Sequence, residues 1–181
     1  FIIIIILFLV HANIKEYRIL EKVPAIKVYD GSQIDLSELS LRQKIGQMMI
    51  VYSKQENRDW IYKNNIGGVY LYAEPSYGDF KSKIDLFQSN SAIKLFVAAD
   101  LEGCNTPFDN FKDFKFASEV KTLEEAYEMG KEHGQFLREL GFNLNFAPVV
   151  DLNDTIWECR TFKGSPEEIA KKAKSYLKGL K

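Results

Sequence analysis

The stretch Leu95-Phe96-Val97-Ala98-Ala99-Asp100-Leu101-Glu102-Gly103 decides how this chain folds. A short apolar run with β-branched and aromatic members stops abruptly at two carboxylates and a glycine, the pattern of a buried strand bounded by a turn. The acids then fall at the strand's C-terminal end, where open α/β sheets and (β/α)8 barrels gather their ligands. A second stretch, Phe142-Asn143-Leu144-Asn145-Phe146-Ala147-Pro148-Val149-Val150-Asp151, has the same grammar, and Arg160 follows it.

Outward from these two strands the chain alternates. Ser37 or Ser40 caps a short helix with Leu41, Ile45 and Met48 on one face. A strand is expected over Gln47 to Tyr52, a helix over Glu56 to Asn64, a turn at Asn65 to Gly68 and a strand over Val69 to Tyr72. Tyr77 to Ala92 carries Phe80, Ile84 and Phe87 at helical spacing. Thr122 with Glu125 forms a capping box for a helix running to Leu140, stopped by Gly141. Asn143 to Val150 is a strand, and Asp154 to Gly164 a loop. Ser165-Pro166-Glu167-Glu168 opens a last helix with a cap, a proline and an acidic first turn. Strands alternating with helices imply an α/β fold with a parallel sheet. A (β/α)8 barrel takes about 250 residues, so four strand–helix units fit either half of a TIM barrel or a free-standing open sheet. Half a barrel would leave two open sheet edges, an association hazard.

The composition narrows the function. Hydrophobic residues at 46% and charged residues at 27% exclude wholesale disorder. A net charge of −1 gives no basic excess for nucleic acid. There is no Walker loop and no G-x-G-x-x-G; Gly67-Gly68 alone is too little to cradle a phosphate. Residues 1–12 begin with ten apolar residues, Phe1 to Val10. That is short for a bilayer span of about 20 residues, but it has the length of a signal-peptide core, with Val10-His11-Ala12 as a cleavage site. Export or membrane anchoring on the extracellular side is therefore expected, against the competing reading of a buried strand. Residues 13–36 read as a linker or N-terminal arm, and 37–181 as the alternating domain. A first residue that is Phe and a last helix without a stop signal suggest a fragment at both ends.

Five motifs occur in order: Ile45-Gly46-Gln47-Met48-Met49-Ile50-Val51, Ile66-Gly67-Gly68-Val69-Tyr70-Leu71, Asp100-x-Glu102-Gly103, Leu140 through Asp151, and Arg160-x-Phe162 followed by Pro166-Glu167. Together they resemble the N-terminal domain of glycoside hydrolase family 3, which includes β-N-acetylglucosaminidases and β-glucosidases. The resemblance runs from about Leu39 to Lys181. It implies a (β/α)8 barrel, retaining hydrolysis of terminal β-linked sugars, a carbohydrate substrate and no cofactor. It also implies that nucleophile and acid/base lie beyond Lys181, so no catalytic residue is assigned within the chain.

The resemblance makes Asp100 and Arg160 substrate-binding. An ionised carboxylate accepts two sugar hydroxyls; a guanidinium donates to a hydroxyl or an N-acetyl carbonyl and can pair with Asp100. A helix cap and a surface salt bridge are the plainer alternatives. Glu102, Gly103 and Asp151 are assigned supporting roles, Gly103 for its backbone conformation. Where many members carry glycine and a substrate-reaching arginine, this chain reads Cys104-Asn105-Thr106-Pro107-Phe108, which weakens the N-acetylglucosaminidase reading in particular. A catalytically inactive sugar-binding or structural module on the same barrel is the alternative. Cys104 and Cys159 would clamp two loops by a disulfide if the chain is exported, and remain free thiols otherwise. With His11 and His133 they offer no metal-ligand spacing; His133, between Glu132 and Gly134, reads as a surface or boundary residue. Tyr70, Tyr72, Tyr77, Phe108, Phe111, Phe114 and Phe116 suit either a substrate rim or core packing.

Overall fold

The computed structural model describes residues 28–29, 33–153 and 155–181. The apolar run Phe1 to Val10 and the Val10-His11-Ala12 site lie outside the described residues. Two units divide at Glu38 and Leu39. In the first, within the expected arm, β1 (Val28–Tyr29) and β2 (Gln33–Ile34) form a short antiparallel ladder.

The second unit is an α/β sheet. Strands β3 (Ile50–Tyr52), β4 (Gly68–Tyr70), β5 (Phe96–Ala99) and β6 (Leu144–Asn145) are hydrogen-bonded in chain order, and every pair is parallel. Helices α1 (Leu41–Gln47), α2 (Arg58–Lys63), α3 (Tyr77–Ser89), α4 (Leu123–Leu140) and α5 (Pro166–Leu180) alternate with them. Consecutive parallel strands in chain order, each followed by a helix, are the arrangement of the first half of a (β/α)8 barrel. β3 and β6 are the outer strands.

The helix starts follow the local chemistry. Ser40 with Gln43, Thr122 with Glu125 and Ser165 with Glu168 all form capping boxes, and Ser76 caps α3. Phe80, Ile84 and Phe87 bury the inner face of α3 against Val69, Leu71, Val97 and Ala99 of the sheet. Phe108, Phe111, Phe114, Phe136 and Phe142 join Phe80 in one set of ring contacts with centroids 5.0–6.5 Å apart. Phe108, Phe111 and Phe114 therefore serve packing. Their loop, long and aperiodic in sequence, folds back over α3 and α4.

Three expectations need correction. Leu41, Ile45 and Met48 do share a face of α1, but it points outward, with exposures of 74%, 51% and 86%. The buried positions are Gln43 and Gly46. A Cβ built on Gly46 would overlap the Asn64 carbonyl oxygen, so backbone proximity at the glycine, rather than the apolar stripe, docks this short helix.

The strand expected over Asn143 to Val150 pairs as a ladder only at Leu144 and Asn145. Pro148 has no N–H to offer a ladder; its peptide bond with Ala147 is cis, and Val149 makes only an isolated parallel bridge with Thr161. Asn143 extends the pairing with its side chain: its Oδ1 accepts from Val97 N at 2.7 Å and its Nδ2 donates to Leu95 O at 3.0 Å.

His133 is 1% exposed, not at the surface. It continues the buried helical series Ala126, Met129, Gly130, Leu137, at spacings of three and four that outweigh its charged neighbour.

Candidate functional site

At the C-terminal ends of β4, β5 and β6 lies a cleft of about 390 Å³, lined by Tyr70, Tyr72, Asp100, Glu102, Asn105, Trp157 and Arg160 among others. Each polar group is placed by a strand end or the loop after it. Asp100 follows Ala99, the last ladder residue of β5, which is fully buried, so the chain turns out of the sheet at the carboxylate. Tyr70, the last residue of β4, pairs in register with Ala98 and donates from its hydroxyl to Asp100 Oδ2 at 2.8 Å. Burial, and then this bond to a carboxylate, hold the Tyr70 phenol above its usual range. The hydroxyl therefore stays protonated and keeps donating.

Arg160 makes ion pairs with Glu102 at 3.6 Å and with Asp151 at 3.2 Å. Arg160 and Glu102 are each only 18% exposed, so their attraction is less screened than that of a surface pair. Glu102 and Asp151 thus hold the guanidinium from the loops after β5 and β6, while Asp100 is oriented from β4. Gly103 has φ +100°, where an L side chain is strained, and a Cβ there would come within 2.9 Å of Ala117 N. Cys104 and Cys159 form a disulfide that joins the loop after Asp100 to the loop before Arg160. Asn105, also left-handed at φ 51°, lines the cleft beside them.

Of the assigned residues, Asp100, Glu102 and Arg160 line this cleft; Asp151 joins them through its bond to Arg160, and Gly103 does not line it. Trp157 was missed by the sequence reading. It is half exposed and lines the same cleft; an aromatic two residues before the Cys159-Arg160 pair is the signal that would have found it. Tyr72, also half exposed, stacks on Tyr52 at 4.5 Å with an interplanar angle of 9°. Phe116 and Tyr77 do not line this cleft. One guanidinium among carboxylates, with exposed aromatic faces beside them, suits a neutral ligand rich in hydroxyls: acceptors for O–H groups, a donor fork, and flat apolar faces for C–H surfaces. Among the described residues no group of three or more His, Cys, Asp or Glu side chains is arranged to hold a metal ion.

The family model described as the glycosyl hydrolase family 3 N-terminal domain matches residues 40–181. A protein named beta-hexosaminidase LpqI from Mycobacterium tuberculosis is 22% identical over 156 residues, covering 79% of this chain and 40% of its own. A beta-hexosaminidase of Xylella fastidiosa is 28% identical over 142 residues, covering 67% of this chain and 41% of its own. Among solved structures, a family 3 β-N-acetylglucosaminidase from Paenibacillus sp. superposes with a TM-score of 0.67 at 27% identity, over 78% of this chain and 31% of that one. The chain spans about 40% of the length of the curated relatives it matches. With the family model matched over most of its length, and with the parallel half-barrel that its relatives share, this chain belongs to glycoside hydrolase family 3 through its N-terminal domain.

Proposed function

We propose that this chain supplies the sugar-binding half of a glycosidase site, and that the whole protein hydrolyses terminal β-linked sugars, with β-N-acetylhexosaminides and β-glucosides as the candidate substrates. The observation that carries the reading is the convergence of Asp100, its Tyr70 donor and the paired Arg160 on one cleft at the strand ends. Asp100 accepts two adjacent hydroxyls of the terminal sugar, and Arg160 donates to a further hydroxyl or an acyl oxygen. Glu102 and Asp151 hold Arg160. Retaining hydrolysis needs a nucleophile and an acid/base on either side of the bond, and both are assigned to sequence beyond Lys181. This division is supported by the relatives being more than twice as long as the region matched.

The site is assigned to an oxidising compartment. The disulfide supports export, as does the apolar run Phe1 to Val10. Among the described residues no helix is long and apolar enough to cross a membrane.

A second reading, a sugar-binding module without catalysis, is favoured by Cys104-Asn105 standing where the family resemblance calls for a glycine and a substrate-reaching arginine. Release of p-nitrophenol from β-N-acetylglucosaminide and β-glucoside substrates by a protein carrying the complete barrel separates the readings. Cleavage with retention at the anomeric carbon is the expected result. Sugar binding without cleavage of either substrate would leave the module.

A further inference from the structure

The residue between the two acids of the cleft is held from behind by a chain of buried polar contacts. Leu101, fully buried, separates Asp100 from Glu102. Its N–H donates to Asn145 Oδ1 at 2.9 Å, and its carbonyl accepts from Asn145 Nδ2 at 3.3 Å. Because a backbone N–H can only donate, the amide orientation of Asn145 is fixed. The remaining Nδ2 hydrogen goes to the Tyr176 hydroxyl at 3.1 Å. That hydroxyl lies 2.9 Å from His133 Nδ1. With its oxygen already accepting from Asn145, the phenol donates its own proton to Nδ1, so the imidazole carries its hydrogen on Nε2. Nε2 itself is buried and makes no hydrogen bond among the described residues.

The three side chains come from α4, β6 and α5, and Asn145 sits in a strand, where asparagine is disfavoured. Leu101 needs no such apparatus for burial, since its own side chain belongs to the apolar core. What this chain of contacts fixes, through the two Asn145 bonds, is the Leu101 peptide, hence the directions in which Asp100 and Glu102 leave it.

Resting on the sugar-binding reading above, we infer that Asn145, Tyr176 and His133 are positioning residues: a latch on the Leu101 peptide that sets Asp100 and Glu102 for the ligand without touching it. The Tyr176→Phe variant removes the hydroxyl and keeps the ring. Asn145→Asp keeps the acceptor for Leu101 N–H and loses both donations, so it reads the same latch if the first variant folds poorly. The measurement is ¹⁵N NMR of the 181-residue chain, following the His133 ring nitrogens and the Leu101 and Glu102 amides, with N-acetylglucosamine and glucose as titrants.

In the native chain His133 is expected as the Nε2–H tautomer. In Tyr176→Phe that tautomer loses its bias, the Leu101 and Glu102 amides shift, and monosaccharide affinity falls about tenfold. An unchanged tautomer and unchanged amides in a folded variant overturn the latch. So does full retention of affinity in either variant. If the native chain binds neither monosaccharide, the sugar reading fails while tautomer and amide shifts still decide the latch.

Discussion

The Tyr70 hydroxyl points at Asp100 and donates to its Oδ2 from the neighbouring strand. One carboxylate oxygen is thereby held, and the group is oriented before any ligand arrives. Asp100→Asn is expected to weaken monosaccharide binding by about 1.5–3 kcal/mol, the worth of hydrogen bonds to a charged group. Tyr70→Phe should cost about 0.5–1.5 kcal/mol, since it removes one orienting bond and leaves the charge. Titration calorimetry reads both. Equal affinity for native chain and Asp100→Asn would remove Asp100 from the site.

The Cys104–Cys159 bridge closes a segment with a sequence separation of 55. Chain entropy assigns about 4 kcal/mol to a loop of that length, as an upper figure. Urea midpoints measured with and without reductant should differ accordingly, and the Cys104→Ser/Cys159→Ser double variant should match the reduced protein. Because the bridge joins the loops that carry Glu102 and Arg160, sugar affinity should fall on reduction as well. A protein indifferent to reductant in both measurements would deny the bridge a structural part.

His133 supplies a pH dependence whose sign is set by burial. Burial lowers its pKa from 6.5 to about 4; the Glu132 carboxylate opposes this shift and the Lys112 ammonium adds to it. The folded state therefore prefers the neutral ring. Stability is full above the unfolded value of 6.5 and is lost as pH falls toward 4, by up to about 3 kcal/mol. Urea unfolding at pH 7 and pH 4.5 should show the loss. His133→Gln, which cannot titrate, should flatten that part of the profile; parallel profiles would assign the loss to carboxylates instead.

Helices α4 and α5 meet at their backbones. A Cβ on Gly130 would overlap the Tyr176 carbonyl oxygen, and one on Gly179 would overlap that of Tyr127. Gly130→Ala is expected to destabilise by about 1–3 kcal/mol through overpacking. Gly78 in α3 meets only Ser76 Oγ at 3.7 Å, so Gly78→Ala should stabilise by about 0.5–1 kcal/mol. Thermal melts of the two variants should move in opposite directions.

Much of the layout was legible because it is local. Ser40, Thr122 and Ser165 cap helices by bonds to residues three positions on, so a short window of sequence holds the whole interaction. The position of Asp100 at a strand end followed from where an apolar run stops, and Arg160 followed from the order of the motifs. The face of α1 was misread because its docking depends on the Asn64 carbonyl meeting Gly46, a contact that no helical period encodes. The ladder of β6 was overestimated at its C-terminal side, where Pro148 has no N–H to donate and Val149 reaches only an isolated bridge to Thr161.

Read along its length, then, the chain already carries the α/β alternation, the strand-end carboxylates and the family, since patterning, capping and motif order are properties of neighbouring residues. Packing settled the rest. Tyr70 meets Asp100 across 30 residues, Tyr176 meets His133 across 43, and Arg160 is shared between Glu102 and Asp151. Directional bonds between distant residues depend on how strands and helices are brought side by side, and that geometry is set only when the sheet and its helices come together.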